Sequence, residues 1–292
     1  MLSTTQKRAA SFLKNYFAKH LVLHVHQESN LASHMSKTQG QYVFASNHAA
    51  HIDGALLVHT LAQLVTDTNH IPKALMRPVL PSWLSKPLER GFEHLKMVVV
   101  DKHKPRDVYR RSERVLAGGE NLLFFPHAKL ATSSIDDKWN GLVFEQVRKR
   151  AEQTAVYVVP VTTQYSSILE LEELASQGVA HISAYVKNRS WRSESFITFA
   201  KPVLLNSSWS HKDITAFAYN RMLANTKIFP EHAASYAFVN KQSIEDVCAY
   251  VTRTFPEQAT SLTESAIRNA WPKSSAIAKY QAGLLEALQK HK

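Results

Sequence analysis

The residues best suited to chemistry form a short polar cluster directly after an apolar run. The run QYVFAS (41–46) leads into Asn47 and His48, and Asp53 follows His48 after four intervening residues. At the start of a helix this spacing can bring a carboxylate beside an imidazole nitrogen. Such a contact fixes the tautomer that leaves the other ring nitrogen able to accept a proton, and it stabilises the imidazolium that forms. The pair therefore predicts a general base acting on a hydroxyl that the substrate itself provides.

The same residue types allow two other interpretations. His48, His51 and Asp53 fall within six residues, as in a polar surface loop. They could also ligate a metal, with His127 as a fourth ligand, as in a metallohydrolase. The His-x-His-x-Asp-His signature of metallo-β-lactamase-type enzymes is not matched, because the first spacing is one residue longer and Gly54 stands where the last histidine belongs. We therefore expect no metal ligands, and we interpret His51 as a bystander.

Alternating strands and helices must position this cluster. Apolar runs of strand length alternate with helical patterns between residues 21 and 205, which predicts an α/β fold with a mostly parallel central sheet flanked by helices on both faces. Chemistry in such folds lies at strand ends, where His48 stands. Strands are predicted at 21–27, 41–46, 95–101, 121–126, 155–161, 179–186 and 195–205, and helices at 54–65, 105–119 and 142–154.

Helical patterns flank the sheet region on both sides. Residues 4–20 place apolar side chains at three- and four-residue spacing among lysines and arginines, which predicts an amphipathic helix that either rests on anionic lipid or packs on the domain. The patterns at 243–255 and 276–292 predict further helices. We therefore divide the chain into an amphipathic membrane-surface helix (1–20), an α/β domain (21–208) and a helical C-terminal extension (209–292).

The charge balance favours an anionic partner. Lys and Arg number 35 against 24 Asp and Glu, giving +11 and a pI near 9.6, which suits nucleic acid, anionic lipid or a phosphorylated substrate. A solvated basic surface without a particular partner would have the same composition. We expect no nucleic-acid partner, because no zinc-finger or RRM-like motif occurs. The oligomeric state has no sequence signal.

The chain is expected to be cytoplasmic and peripheral to a membrane. Cys248 is the single cysteine, which excludes an internal disulfide and a Cys-based metal cluster and fits a reducing compartment. No window reaches 18 apolar residues, so no transmembrane helix is predicted. The first 17 residues lack the apolar core of a secretory signal.

Two segments of the sequence are similar to the first two motifs of a known family. Asn47, His48 and Asp53 match the Asn-His-x4-Asp motif that follows a buried strand in the glycerolipid acyltransferases. This family comprises phospholipid and lysophospholipid acyltransferases, including the bacterial 1-acylglycerol-3-phosphate acyltransferases. The family's second motif is a short apolar strand ending in a basic residue, usually Arg. VVVDK (98–102) is similar to it, with Lys102 in the basic position.

The third and fourth motifs follow in the family's order, but the third is altered. The family has Phe-Pro-Glu-Gly-Thr where this chain has Phe125-Pro126-His127-Ala128-Lys129, and Leu130 replaces the Arg that commonly comes next. The fourth motif, an apolar strand with an internal proline, resembles residues 158–161. A segment similar to the family's closing strand lies at 200–203, so the resemblance covers roughly residues 20 to 205. The altered third motif leaves the acceptor open.

The resemblance implies a specific reaction and a set of site residues. An acyltransferase domain at 21–208 would move a fatty acyl group from acyl-CoA or acyl carrier protein, as co-substrate and without a further cofactor, to a hydroxyl of a lysophospholipid, glycerol phosphate or related lipid, in phospholipid biosynthesis. It implies His48 as general base, Asp53 as its orienting partner, and substrate binding by Asn47, Lys102, His127 and Lys129. A non-catalytic lipid-binding pseudoenzyme is the alternative.

Overall fold

The computed structural model describes most of the sheet region and the helices that follow it. The described residues are 11, 15, 17–49, 52–65, 67–76, 96–100, 105–126, 139, 141–165, 193–206, 208–259, 262–272 and 275–290.

Strands and helices alternate along the first two thirds of the chain, and helices dominate the last third. The strands are β1 Leu21–Gln27, β2 Gln41–Ser46, β3 Lys73–Met76, β4 Met97–Val99, β5 Leu122–Phe124, β6 Val156–Tyr165, β7 Ser193–Phe199 and β8 Val203–Leu204. The helices are α1 Leu31–Lys37, α2 Asp53–Leu64, α3 Pro105–Ala117, α4 Leu142–Ala151, α5 His211–Ala224, α6 Pro230–Asn240, α7 Ile244–Thr254, α8 Glu264–Asn269 and α9 Ser275–Lys290.

The strands form one mixed sheet in which parallel pairs predominate. Its order is β1-β7-β6-β2-β5-β3-β4, and β8 pairs with β6. β2 runs parallel to both β5 and β6, and β3 runs parallel to β5 and β4. β6 pairs antiparallel with β7 and β8, while β1 pairs parallel with β7. The predicted α/β fold with a mostly parallel sheet is therefore confirmed.

The two faces of the sheet bury two separate cores. Val43 and Ala45 of β2 belong to one core, and Tyr42 and Phe44 belong to the other, because successive side chains of a strand point to opposite faces. α2 covers the Tyr42 face with Leu56, Leu57 and Leu61, whose spacing gives the helix one apolar stripe. α3, α4 and the C-terminal helices cover the Val43 face. The prediction of helices on both faces is thus confirmed.

The strand and helix predictions agree with these elements, with differences at their ends. The strand predicted at 155–161 continues to Tyr165, and the one predicted at 195–205 is divided into β7 and β8. The predicted strand at 179–186 lies outside the described residues. Within the described part of residues 4–20, positions 11, 15 and 17–20 are helical. Phe17 is buried beside α2, so the C-terminal end of the helical segment before β1 packs on the domain.

Polar side chains join the C-terminal helices to the sheet. Thr162 of β6 donates a hydrogen bond to the Met222 carbonyl of α5 at 3.0 Å. Glu28, which follows β1, accepts hydrogen bonds from Arg221 of α5, from Asn225 just after that helix and from the Lys201 backbone N–H. Partial burial alone would raise the pKa of Glu28, but these donors lower it below its ordinary value. Among the described residues, no helix is long and apolar enough to span a membrane.

Candidate active site

The candidate site lies at the carboxyl edge of the parallel strands. β2 ends at Ser46 and β5 at Phe124, and because β6 is parallel to β2 its end at Tyr165 lies at the same edge. The connection from β2 passes through α2 on one face of the sheet, whereas the connection from β5 to β6 passes through α4 on the other face. Strand ends where connections diverge in this way leave a crevice that commonly binds ligands in α/β folds.

His48 and Asp53 form a hydrogen-bonded pair at this edge of the sheet. His48 Nδ1 lies 3.0 Å from Asp53 Oδ2. An ionised carboxylate only accepts hydrogen bonds, so Nδ1 carries the proton and Nε2 of the neutral ring is the nitrogen able to take another. The Asp53 side chain is fully buried, whereas 24% of the His48 side-chain surface is exposed. The pair thus combines a buried carboxylate with an imidazole that is partly accessible to solvent.

The start of α2 accounts for this pairing. Asp53 is the first residue of the helix, and the Ala49 backbone N–H donates to Asp53 Oδ2 at 2.6 Å. Ala49 and Asp53 are therefore in direct contact. A carboxylate in the first turn also faces the positive end of the helix dipole. These local contacts explain how a four-residue separation brings carboxylate and imidazole together.

Tyr165 contributes a further hydrogen bond to the same carboxylate. Its hydroxyl donates to Asp53 Oδ1 at 2.5 Å in a buried environment. The Asp53 carboxylate thus accepts hydrogen bonds at both oxygens, which compensates for the burial of its charge.

Asn47 joins the end of β2 to β6. Its side-chain NH₂ donates to the Thr163 carbonyl, and its side-chain oxygen accepts from the Thr163 backbone N–H, both at 2.7 Å. Both residues are buried. Since Asn47 immediately precedes His48, this double hydrogen bond fixes the point from which the imidazole projects. Substrate binding by Asn47 stays a prediction.

An aromatic ring lies against the imidazole. Phe125, the residue after β5, stacks on His48 with ring centroids 4.6 Å apart and an interplanar angle of 30°. One face of the imidazole is therefore covered by an apolar side chain that itself packs against the Tyr42-side core.

The other predicted site residues are only partly within the described structure. Lys102, His127 and Lys129, the predicted substrate-binding residues of the second and third motifs, lie outside the described residues, as does His51. Lys73 begins β3 at the edge opposite His48 and forms an ion pair with Glu120 at 2.6 Å. Within the described ranges, no cluster of three or more His, Cys, Asp or Glu side chains could hold a metal.

Sequence reasoning missed Thr163 and Tyr165. The strand that carries them was predicted to end at 161, two residues before Thr163. The signal was nevertheless present, because the following residues Thr162, Thr163 and Tyr165 are types that favour strands. Extending the strand would have brought Tyr165 to the edge where His48 lies.

Comparisons with known proteins give a likeness to a solved structure. No protein-family model matches the chain, and no curated protein matches it. The crystal structure of the 1-acyl-sn-glycerophosphate (LPA) acyltransferase PlsC from Thermotoga maritima is similar, with a TM-score of 0.43 and 13% sequence identity. The match covers 74% of this chain and 76% of that chain. A likeness at this level concerns the arrangement of the backbone, and the chemistry must be argued from the site.

Proposed function

We propose that the protein is an O-acyltransferase that moves a fatty acyl group from a thioester donor to a lipid hydroxyl. The donor is acyl-CoA or acyl carrier protein, and the acceptor is a lysophospholipid, glycerol phosphate or related lipid. The single observation that carries the proposal is the 3.0 Å contact between His48 Nδ1 and the buried Asp53 carboxylate. It is supported by the order of the four motif-like segments along the chain.

The pair supplies the proton transfers that this reaction needs. His48 Nε2 removes the proton of the acceptor hydroxyl as its oxygen forms a bond to the thioester carbonyl carbon. The carbon–sulfur bond then breaks, and the imidazolium returns the proton to the departing sulfur, so that a free thiol and an ester are formed. Asp53 keeps the imidazole oriented and stabilises its transient positive charge. The acceptor supplies the nucleophile, so the protein needs no covalent intermediate.

Acceptor binding is assigned to the second and third motif-like segments. We propose that Lys102 and Lys129 attract the acceptor's phosphate and that His127 faces its headgroup, with Asn47 at the base of the site. Lys presents a point charge and lacks the forked geometry of Arg. We therefore expect the phosphate to be bound in a different geometry from that in family members with Arg at this position. His127→Ala should therefore raise the acceptor KM while thioester hydrolysis without acceptor persists. Loss of stoichiometric zinc on the same substitution would favour a metallohydrolase instead.

The reaction is proposed to occur at the cytoplasmic surface of a membrane. Its lipid acceptors reside there, and a net charge of +11 favours approach to anionic lipid. This location is part of the proposal and has its own test below.

The deciding experiment measures thiol release from acyl-CoA and from acyl carrier protein with a panel of lysophospholipids and glycerol phosphate, with products identified by mass spectrometry. His48→Ala is expected to lower turnover by about 10²–10⁴-fold, the usual contribution of a general base. Asp53→Asn should cost nearly as much. The double variant should lose far less than the product of the two single losses, because the two groups act as a unit.

His24→Ala is the matched control for these substitutions. His24 also stacks on a phenylalanine, Phe196, at a centroid distance of 4.6 Å, but it lies on the edge strand β1. This variant should retain full turnover. Full activity of a folded His48→Ala protein would end the proposal, and lipid binding by the wild type without turnover of any acceptor would favour the pseudoenzyme.

A further inference from the structure

Strand β6 extends beyond its neighbour at the edge where the candidate site lies. Ser46, the last residue of β2, pairs with Val161, so β6 continues from there to Tyr165. This extension is held on its other side by antiparallel pairing with β7, in which Tyr165 lies opposite Ser195. The end of β6 is therefore a fixed part of the sheet from which Tyr165 reaches the start of α2.

We propose that Tyr165 is a positioning residue of the active site, whose phenol orients Asp53 and, through Asp53, His48. The inference rests on the proposed function, since it assigns Tyr165 a part in the same reaction. Its basis is the 2.5 Å hydrogen bond from the Tyr165 hydroxyl to Asp53 Oδ1.

The two oxygens of the Asp53 carboxylate are bound by different parts of the molecule. Oδ2 accepts from His48 and from the Ala49 backbone, which belong to the same loop as Asp53. Those contacts are local, because they join residues at most five positions apart. Oδ1 accepts from Tyr165 of β6, 112 residues away in sequence. Because the terminal torsion of an aspartate is broad, a donor at the second oxygen fixes the plane in which the carboxylate lies.

β6 thereby holds both ends of the His-x4-Asp motif. Thr163 bonds to Asn47 just before His48, and Tyr165 bonds to Asp53 at its end. Thr163 acts through its backbone, and Tyr165, two residues further along the strand, acts through its side-chain hydroxyl. A misplacement of about 1 Å in a reacting group can cost about 10²-fold in rate. Loss of the Tyr165 hydroxyl is therefore expected to act on the chemical step and to leave binding intact.

The test is a double-mutant cycle with Tyr165→Phe and Asp53→Asn. Tyr165→Phe should lower kcat about 10-fold or more, because the orientation of the base is lost, while both KM values stay within about two-fold. In the Asp53→Asn background the same substitution should have little further effect, since the carboxylate it orients is already gone. Tyr157→Phe is the matched control. It also removes one hydroxyl from β6, but Tyr157 lies near the opposite end of the strand, stacked on Tyr42.

A second measurement does not depend on turnover. In ¹⁵N-labelled protein, the Nδ1–H signal of His48 should shift and exchange faster with solvent in Tyr165→Phe, and it should be unchanged in Tyr157→Phe. If Tyr165→Phe does not fold, 3-fluorotyrosine placed at position 165 alters the acidity of the phenol and little else. A His48 signal unaffected by that replacement would overturn the proposal.

The outcomes separate this inference from the proposed function. Unchanged kcat in Tyr165→Phe, or an equal loss in the wild-type and Asp53→Asn backgrounds, would show that Tyr165 does not act through Asp53 while leaving the base assignment intact. Full activity of His48→Ala would instead remove the proposed function, whatever Tyr165→Phe does.

Discussion

The side-chain amide of Asn47 is hydrogen-bonded at both ends to the backbone of Thr163, with a donor–acceptor distance of 2.7 Å in each case. Gln164, the next residue of β6, makes the same kind of double contact with the Lys227 backbone, at 2.8 Å for both hydrogen bonds. The two double hydrogen bonds are chemically alike, and each involves one of two neighbouring residues of β6, Thr163 and Gln164. They differ in what they attach to β6. The first attaches Asn47, the residue before His48, and the second attaches Lys227 in the segment after α5.

Replacing each amide with alanine should therefore separate stability from activity. Asn47→Ala and Gln164→Ala should each lower the free energy of unfolding by about 1–3 kcal/mol, because a backbone N–H and a carbonyl lose their partner. Asn47→Ala alone should also reduce kcat, by at least about 10-fold, since a displaced base is costly. Urea unfolding and turnover assays of both variants test this. Equal effects of the two variants on kcat would mean that the hydrogen bonds of Asn47 with Thr163 do not position His48.

The ring stacked on His48 should matter for rate more than for folding. Phe125→Ala removes a contact of the kind worth about 0.5–1.5 kcal/mol, so the imidazole gains freedom and kcat should fall up to about 10-fold. Phe125→Leu should be intermediate, because it keeps an apolar side chain beside the imidazole. Phe196→Ala removes the corresponding ring from His24 and should leave kcat unchanged. A Phe125→Ala enzyme with wild-type kcat would contradict this role.

Buried His232 should make folding sensitive to mild acid. Burial lowers the pKa of His232 from 6.5 to about 4, and its Nδ1 accepts a hydrogen bond from the Phe229 backbone N–H at 3.0 Å, as a neutral ring does. Below pH 6.5 the unfolded chain binds a proton that the folded protein does not take up until about pH 4. The stability linked to this residue is thus fully present above pH 6.5 and is lost as the pH falls toward 4.

The size of this effect can be measured with His232→Asn, whose side-chain oxygen can accept the same backbone hydrogen bond. Between pH 7 and pH 5, the wild type should lose about 2 kcal/mol more of its free energy of unfolding than the variant does. Urea unfolding at the two pH values gives both quantities. The same loss in both proteins would show that the acid sensitivity originates elsewhere.

Membrane association should be electrostatic in origin. The full-length protein, with its net charge of +11, is expected to sediment with phosphatidylserine-containing vesicles at low salt and to be released as salt rises. Vesicles of phosphatidylcholine alone are the control and should bind weakly. Binding that is equal for the two compositions, or that does not respond to salt, would contradict an electrostatic attachment.

The sequence was sufficient to predict the contact between His48 and Asp53, the pair to which the proposed chemistry is assigned. His48 and Asp53 are close in sequence, and the buried strand before them and the helical stripe after them have clear patterns. Their contact could therefore be anticipated from local geometry. The contacts of Asn47 with Thr163 and of Asp53 with Tyr165 join residues more than a hundred positions apart. They depend on which strand lies beside β2, and no local pattern encodes that choice.

The same distinction applies to the fold. Buried runs such as β2 and the first part of β6 were predicted because most of their side chains are apolar. β3 is four residues long and contains a charged lysine, and α1 is a single short stretch of seven residues. Segments this short have too few residues for a period to emerge, so tertiary contacts decide their conformation. Leu31 and Met35 of α1, for example, are buried only because the Tyr42-side core accepts them.

The reversal of strand direction at β6 also fixes where the chain enters the sheet. β7 runs antiparallel to β6 and β1 runs parallel to β7, so β1 starts, at Leu21, on the edge where β6 ends. Phe17, in the helical segment before β1, is buried beside the residues of α2 that follow Asp53. A surface, fusion partner or immobilising support attached near Phe17 would therefore lie at the same edge of the sheet as His48, and it would restrict access to that edge.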